Sequence, residues 1–344
     1  MMVVLVHVGQ RVLGMPAVVG NLTFYGVRGV QLFFIVSGLT LMVAHRGKKL
    51  NLPNFAARRF FRIAPMFYLG ALLYLVLSGI PALDPAFNPV GVTPGAVALT
   101  AAFLHGWSLT AYNLVVPGGW SIADEAMFYV VFPFLLFMLR VPRRYFALLV
   151  VIYAAAGVCY LALRHFMPGD PKLVQGFAMS FWLCNLPAFA TGCWLSLRPG
   201  YESLSPRTAA IIMAAAAIAM VIDSQLRGHS NLLVAIVLLA TFTWAAGRAR
   251  PAWLCSKLLT KIGEVSFSLY LLHFAVLKLI LPVIRQLEPQ LGWIATLSVA
   301  YLATLAISGG FAGLTYRFIE KPFIRLGRNL FASPVGSEPA RATA

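Results

Sequence analysis

The feature that most constrains this chain is a repeated run of apolar residues, each close to twenty long and almost free of charge. A helix crossing the hydrocarbon of a bilayer needs about 20 such residues, and inside lipid it must satisfy its backbone polar groups within itself. Composition agrees: 60% of the 344 residues are hydrophobic and 11% are charged, whereas a soluble domain carries about 25% charged residues. A water-soluble globule is therefore excluded. An unfolded chain is excluded too, because disorder requires a shortage of apolar side chains. Transmembrane strands would show short alternating segments instead of continuous apolar runs. The fold class predicted is an all-α polytopic membrane protein.

Nine spans are expected, at Val27–Ala44, Ala64–Ile80, Ala126–Leu139, Tyr145–Leu163, Phe177–Leu197, Ala209–Ile222, Asn231–Gly247, Phe267–Ile284 and Gly292–Phe318. Met1–Val8 is apolar but too short to cross, and reads as the end of a first helix whose start lies upstream. That makes about ten transmembrane helices. Gly95–Tyr112 is apolar at first and then broken by His105, Gly106, Trp107 and Ser108. If it folds back without crossing, as a re-entrant or interfacial segment near 95–116, alternation gathers most loop cations on one side. Only Arg11, Arg164, Lys172, Arg227 and Arg285 then lie opposite. If it crosses, the bias inverts. Cytoplasmic loops carry the excess of Lys and Arg, so the first arrangement is expected, with both termini cytoplasmic. Residues 1–328 form the membrane-embedded domain, and 329–344 are expected as a disordered cytoplasmic tail.

The formal charge of +17 does not indicate nucleic-acid binding, which needs a cationic face on a soluble domain. The cations here lie between greasy segments, as the positive-inside rule requires. Cys159, Cys184, Cys193 and Cys255 show no CxxC spacing, so neither a disulfide framework nor a metal site is expected. No small-residue cleavage site marks the first residues as a signal peptide.

Ionisable groups inside a span are costly and tend to mark function. His7 is a lone imidazole on an aliphatic helix, suited either to base catalysis or to a buried bond with a backbone carbonyl. Arg59 and Arg62, beside Arg58, are spaced i, i+3 and project from one helical face, where two planar guanidiniums suit phosphates. Ser121 and Asp124 read as a capping-box-like helix start. Capping leaves Glu125 unexplained at the membrane boundary, facing the bundle. Ser266, Tyr270 and His273 fall on one helical face and either line a cavity or glue helices together. Glu320-Lys321-Pro322 reads as an ordinary stop at the end of the last helix.

These stretches resemble the acyltransferase-3 family of integral-membrane O-acyltransferases over nearly the whole chain. They are His7, then Gly29-Val30-Gln31-Leu32-Phe33-Phe34-Ile35-Val36-Ser37-Gly38, Arg59-Phe60-Phe61-Arg62-Ile63-Ala64-Pro65, Trp120-Ser121 with Glu125 and Phe128-Tyr129, Ser266 to His273, and Ile319-Glu320-Lys321-Pro322. The resemblance implies transfer of an acyl group, often acetyl, from cytoplasmic acyl-CoA to a hydroxyl of an extracytoplasmic or lipid-linked glycan, in a bacterial inner membrane. It assigns His7 as the catalytic residue and Arg59 and Arg62 to the acyl donor. Glu125 is expected to orient His7 or the acceptor, and Ser37, Trp120, Ser121, Tyr270 and His273 to line the cavity. Acyl-CoA enters as substrate, with no bound cofactor, and membrane lipid and a glycan acceptor are the expected partners.

Two departures stand out. The basic residue that the family places eleven positions before its histidine would fall before Met1, and the acidic residue common in the second-helix motif is Gln31 here. No SGNH-type domain follows the last span, so a second catalytic step would fall to a separate protein. The rival readings are a transporter or flippase of a lipid-linked glycan, and a membrane scaffold. Transporters often carry inverted repeats with broken helices in matching halves, and neither is visible in this sequence.

Overall fold

A computed structural model describes residues 1–78, 91–197, 204–226 and 231–330. The helices are α1 (Met2–Gly9), α2 (Ala17–Phe24), α3 (Gly29–His45), α4 (Leu52–Ser78), α5 (Pro94–Ala101), α6 (Trp120–Met138) and α7 (Pro142–Phe166). They continue with α8 (Pro171–Ser180), α9 (Trp182–Leu195), α10 (Pro206–Leu226), α11 (Leu232–Ala249), α12 (Lys257–Glu264), α13 (Ser266–Thr315) and α14 (Lys321–Asn329). Among the described residues nine helical runs are long and apolar enough to cross a membrane, and α1 adds a short tenth piece packed on α13. The chain is an all-α polytopic membrane protein. The expected tail after Asn329 lies almost wholly outside the described residues, as do Gly79 and Ile80 at the end of the second expected span.

Successive crossings sort the connections to two ends. At the basic end, Arg46 Nη1 donates to Ser196 O at 3.1 Å and Arg248 Nε to Leu204 O at 2.7 Å. At the opposite end, Gln225 Nε2 donates to Val18 O at 3.0 Å and the Leu13 amide to Glu288 Oε1 at 2.5 Å. The 91–119 segment does not cross. It forms the eight-residue α5, capped by Thr93 Oγ1 on the Ala96 amide, then a 3₁₀ turn at His105–Trp107 and a string of turns. Burial pushes the His105 pKa below its ordinary value, so the neutral ring donates from Nε2 to Gly119 O at 2.9 Å and pins the start of α6.

Several boundaries differ from expectation for identifiable reasons. Helix α6 begins at Trp120, six residues early, because Ser121 to Glu125 are buried inside the bundle. The fifth span is interrupted at Phe181, whose extended backbone (φ −77°, ψ 132°) separates α8 from α9. Backbone freed in this way is tolerated at membrane depth where protein satisfies it. Here the Asn185 amide donates to Met179 O at 3.0 Å and Phe181 O at 3.3 Å. Helix α13 bends at Gly292 (φ 67°, ψ 170°), and a π turn at Tyr316–Glu320 joins it to α14.

Packing divides into three apolar clusters. The largest joins α3, α6, α7, α9 and α11 around Phe34, Phe128, Phe132 and Phe189. A second joins α4, the 91–119 segment and α13 around Phe67, Tyr74 and Leu271, and a third seats α1 on α13 through Val4, Val8 and Leu277. Helices α3 and α9 pack with their backbones in close approach. A Cβ on Gly38 would overlap Phe189 O, and one on Gly192 would overlap Ile35 O. Small residues let helix backbones approach in this way where no hydrophobic effect drives them together. Gly192→Ala is expected to cost about 1–3 kcal/mol through overpacking, read as a lowered melting temperature in detergent. An unchanged melting temperature would mean that the two helices separate freely.

Candidate active site

Helix α4 carries Arg58, Arg59 and Arg62 in its first turns beyond Leu52, at the basic end. With Arg328 of α14 they line a cavity of about 290 Å³, closed by Ser37 and Thr40 of α3 and by Glu125 and Tyr129 of α6. Glu125 is buried, accepts from Tyr129 OH at 2.5 Å and feels the charges of Arg59 and Arg62. The charge of Arg62 also acts on the Glu320 carboxyl. Glu320 is itself buried and accepts a hydrogen bond from Ser268. The guanidinium of Arg59 lies 5.7 Å from the Phe55 ring centroid and 5.6 Å from that of Tyr129, and its Nε is buried without a partner. The arginines thus differ in task. Arg62 lends its charge to two carboxylates from an exposed position, while Arg59, held between aromatic faces, keeps donor capacity for an anion.

The reading of Glu320 as an ordinary stop is overturned by this arrangement. A π turn is a frequent device at functional positions; here it turns Glu320 inward, toward Ser268, instead of toward solvent.

A second polar centre gathers around His7. Its ring centroid lies 5.5 Å from that of His273 and 4.3 Å from that of Phe274, and its Nδ1 is 3.3 Å from Gln10 Oε1. An amide oxygen only accepts, so Nδ1 carries the proton and the neutral ring leaves its lone pair on Nε2. His273 is fully buried, donates from Nδ1 to Tyr270 O at 2.6 Å, and has an Nε2 without a partner. Tyr270 OH donates to Gly118 O at 2.9 Å and accepts from Ser121 Oγ at 2.9 Å. Gly118 has φ +74°, and a Cβ there would collide with the Tyr270 hydroxyl. A residue with a side chain fits neither the backbone nor the space.

Helix α6 joins the two centres. Ser121 touches the Tyr270 side, and Glu125, one turn later, the arginine side. At 1.5 Å per residue these positions are about 6 Å apart along the axis. Ser121 and Asp124 do not cap the helix as expected: the N-cap is Gly119 and no side chain caps it. Asp124 has no exposed surface and instead accepts from Asn185 Nδ2 at 3.1 Å, while Gln31 Nε2 donates to Asn185 Oδ1 at 2.9 Å. This network ties α3, α6 and α9 together behind the site, because a buried carboxyl without partners would be expensive.

The expected residues therefore separate into groups. Arg59, Arg62, Ser37 and Glu125 share the basic cavity, whereas His7, His273, Tyr270 and Ser121 form the second centre. Glu125 orients toward Tyr129 and the arginines, not toward His7. Trp120 packs edge-on against Phe34 at 6.4 Å and lines neither the arginine cavity nor the one at the opposite end of the molecule. Ser266 is half-buried and donates to Gly263 O at 2.8 Å, leaving the expected polar stripe. Gln10, Arg328, Asn185 and Ser268 carry no expectation from sequence. Gln10 sits i+3 from His7, a spacing that places helical side chains together. Asn185 is a lone amide in an apolar run, which carries a similar signal.

Residues 1–313 match the family described as "Acyltransferase domain". Acyltransferase MdmB of Streptomyces mycarofaciens is 25% identical over 94% of this chain and 87% of its own length. Exopolysaccharide production protein ExoZ of Rhizobium meliloti is 26% identical over 88% of this chain and 91% of its own. Peptidoglycan O-acetyltransferase OatA of Listeria monocytogenes is 26% identical over 93% of this chain but only 55% of its own length. No solved structure matches the chain. A family match that runs from residue 1 to residue 313 of this chain leaves one conclusion: the chain belongs to that membrane acyltransferase family.

Proposed function

We propose that the protein is an acyl-CoA-dependent O-acyltransferase that places an acyl group, acetyl in the first instance, on a glycan hydroxyl. The observation that carries this reading is one cavity lined by four arginines at the basic end, joined along α6 to a histidine whose Nε2 is free to act as a base. Arg59 and Arg58, with Arg328, hold the phosphates of the donor, since planar forks bind phosphate oxygens bidentately. The thioester arm runs inward past Glu125 and Ser121. His7 Nε2 takes the proton of the acceptor hydroxyl as its oxygen attacks the thioester carbonyl. The new C–O bond forms, the C–S bond breaks, and the proton passes from His7 to the departing thiolate. Such base catalysis contributes about 10²–10⁴-fold.

The cation bias supports a donor cavity on the cytoplasmic face of a bacterial plasma membrane, with residues 1–328 acting as one catalytic unit. Two relatives, a peptidoglycan O-acetyltransferase and an exopolysaccharide production protein, support a glycan as acceptor. The test is radiolabelled acetyl-CoA supplied to vesicles containing the protein, with and without glycan. Label on the polysaccharide is the expected outcome. Transbilayer movement of a lipid-linked glycan without label transfer would replace this reading with a flippase.

A further inference from the structure

A second cavity, of about 630 Å³, opens at the end of the molecule opposite the arginines. It forms where α13 bends at Gly292, and its walls come from the end of α1 and from the bend. Neither the catalytic scheme nor the resemblance uses it. Its size is that of a site for an organic ligand. Its chemistry is mixed: Trp293 offers an aromatic surface, Glu288 a carboxylate, Arg11 and Arg285 two guanidiniums, and Gln10 an amide. An apolar ligand would desolvate these charges without partners, and a simple anion would leave the indole idle.

A pyranose ring uses all of them. Its C–H face matches an aromatic ring, and its hydroxyls both donate to a carboxylate and accept from guanidinium and amide N–H groups. The walls are braced for such a ligand. Glu288 Oε1 accepts the Leu13 amide at 2.5 Å, which ties the loop after α1 to the bend. A carboxylate has about four lone-pair sites, so acceptor capacity remains for hydroxyls. The decisive feature is Gln10. It borders this cavity and also holds Nδ1 of His7 at 3.3 Å. The cavity therefore abuts the residue that fixes which nitrogen of His7 is the base.

We infer that this cavity is the acceptor subsite, seating a pyranose of the glycan on Trp293 with Glu288, Arg11 and Arg285 on its hydroxyls. Sugar binding stands on the cavity alone, and only the acylation of the bound sugar rests on the proposed transfer chemistry. Donor and acceptor then approach the histidine centre from opposite ends, and Gln10 positions both the base and the sugar edge.

The test is isothermal titration of the full-length protein in nanodiscs with chitopentaose and, separately, with a soluble exopolysaccharide digest. The wild type is expected to bind at least one of them saturably. Trp293→Ala and Glu288→Gln should each raise Kd about tenfold and raise the glycan KM in label transfer similarly, while the acetyl-CoA KM moves less than twofold. His7→Ala should abolish transfer yet keep the glycan Kd, so failure of the base leaves the binding result intact. Absence of saturable binding by the wild type overturns the assignment, as does an unchanged Kd in both variants. Displacement of the glycan by phosphatidylglycerol in the nanodisc would give the cavity to a lipid headgroup instead.

Discussion

His7→Ala is expected to leave a folded protein whose O-acyl transfer falls by about 10²–10⁴-fold, the usual contribution of a positioned base. Folding should survive for a local reason. The imidazole bond to Gln10 is solvent-accessible and 3.3 Å long, and a typical hydrogen bond contributes only about 1 kcal/mol net. The neighbouring Val4 and Val8 are buried and keep α1 seated on α13. The measurement pairs label transfer from acetyl-CoA with thermal unfolding of the same preparation. Wild-type transfer by the alanine variant, at an unchanged melting temperature, would remove His7 from the mechanism. Gln10→Ala provides an internal check. It loses the partner that holds the proton on Nδ1, so it should lower kcat while leaving the acetyl-CoA KM in place.

The second large effect concerns the arginine cavity. Arg59→Ala is expected to raise the acetyl-CoA KM by about 10–100-fold, corresponding to one charged hydrogen-bonding group at about 1.5–3 kcal/mol. The effect should shrink as ionic strength rises, because part of the attraction is screened. Arg59→Lys should recover little of it, since an ammonium lacks the planar fork and the stacking between Phe55 and Tyr129. Arg62→Ala is expected to behave differently. It removes a positive charge that acts on both Glu125 and Glu320, but Arg62 is exposed, and an exposed charge interaction contributes only about 0–1 kcal/mol. Its signature is a small loss of melting temperature along with the rise in KM. Equal melting temperatures for the two alanine variants, with equal KM, would deny the division of labour drawn from the structure.

The fold was legible because a bilayer imposes a length and a polarity on every crossing. The nine expected spans each correspond to a helical run in the structure, and the 95–112 segment stays out of the crossing count as charge alternation required. Boundaries were less legible. A purely apolar window cannot see that α6 starts at Trp120, because Ser121, Asp124 and Glu125 count as polar although each is buried against partners. The same blindness produced the capping reading of Ser121 and Asp124 and the stop reading of Glu320. Local sequence offers a helix terminus as the cheapest use of such residues, and only neighbours distant in the chain offer a better one.

The sequence by itself determined that the chain spans a membrane many times, which side of each loop is basic, and which ionisable groups are too costly to be accidental. Each of these depends on the transfer of single side chains and single helices between water and lipid, and such terms are set by local composition. Tertiary structure alone decided which polar groups meet: His7 with Gln10 and His273, Asn185 with Asp124 and Gln31, Glu320 with Ser268. These pairings join residues up to hundreds of positions apart. They are fixed by how close α3 and α9 can pack at Gly38 and Gly192 and by where α13 bends, geometry that no single apolar run contains.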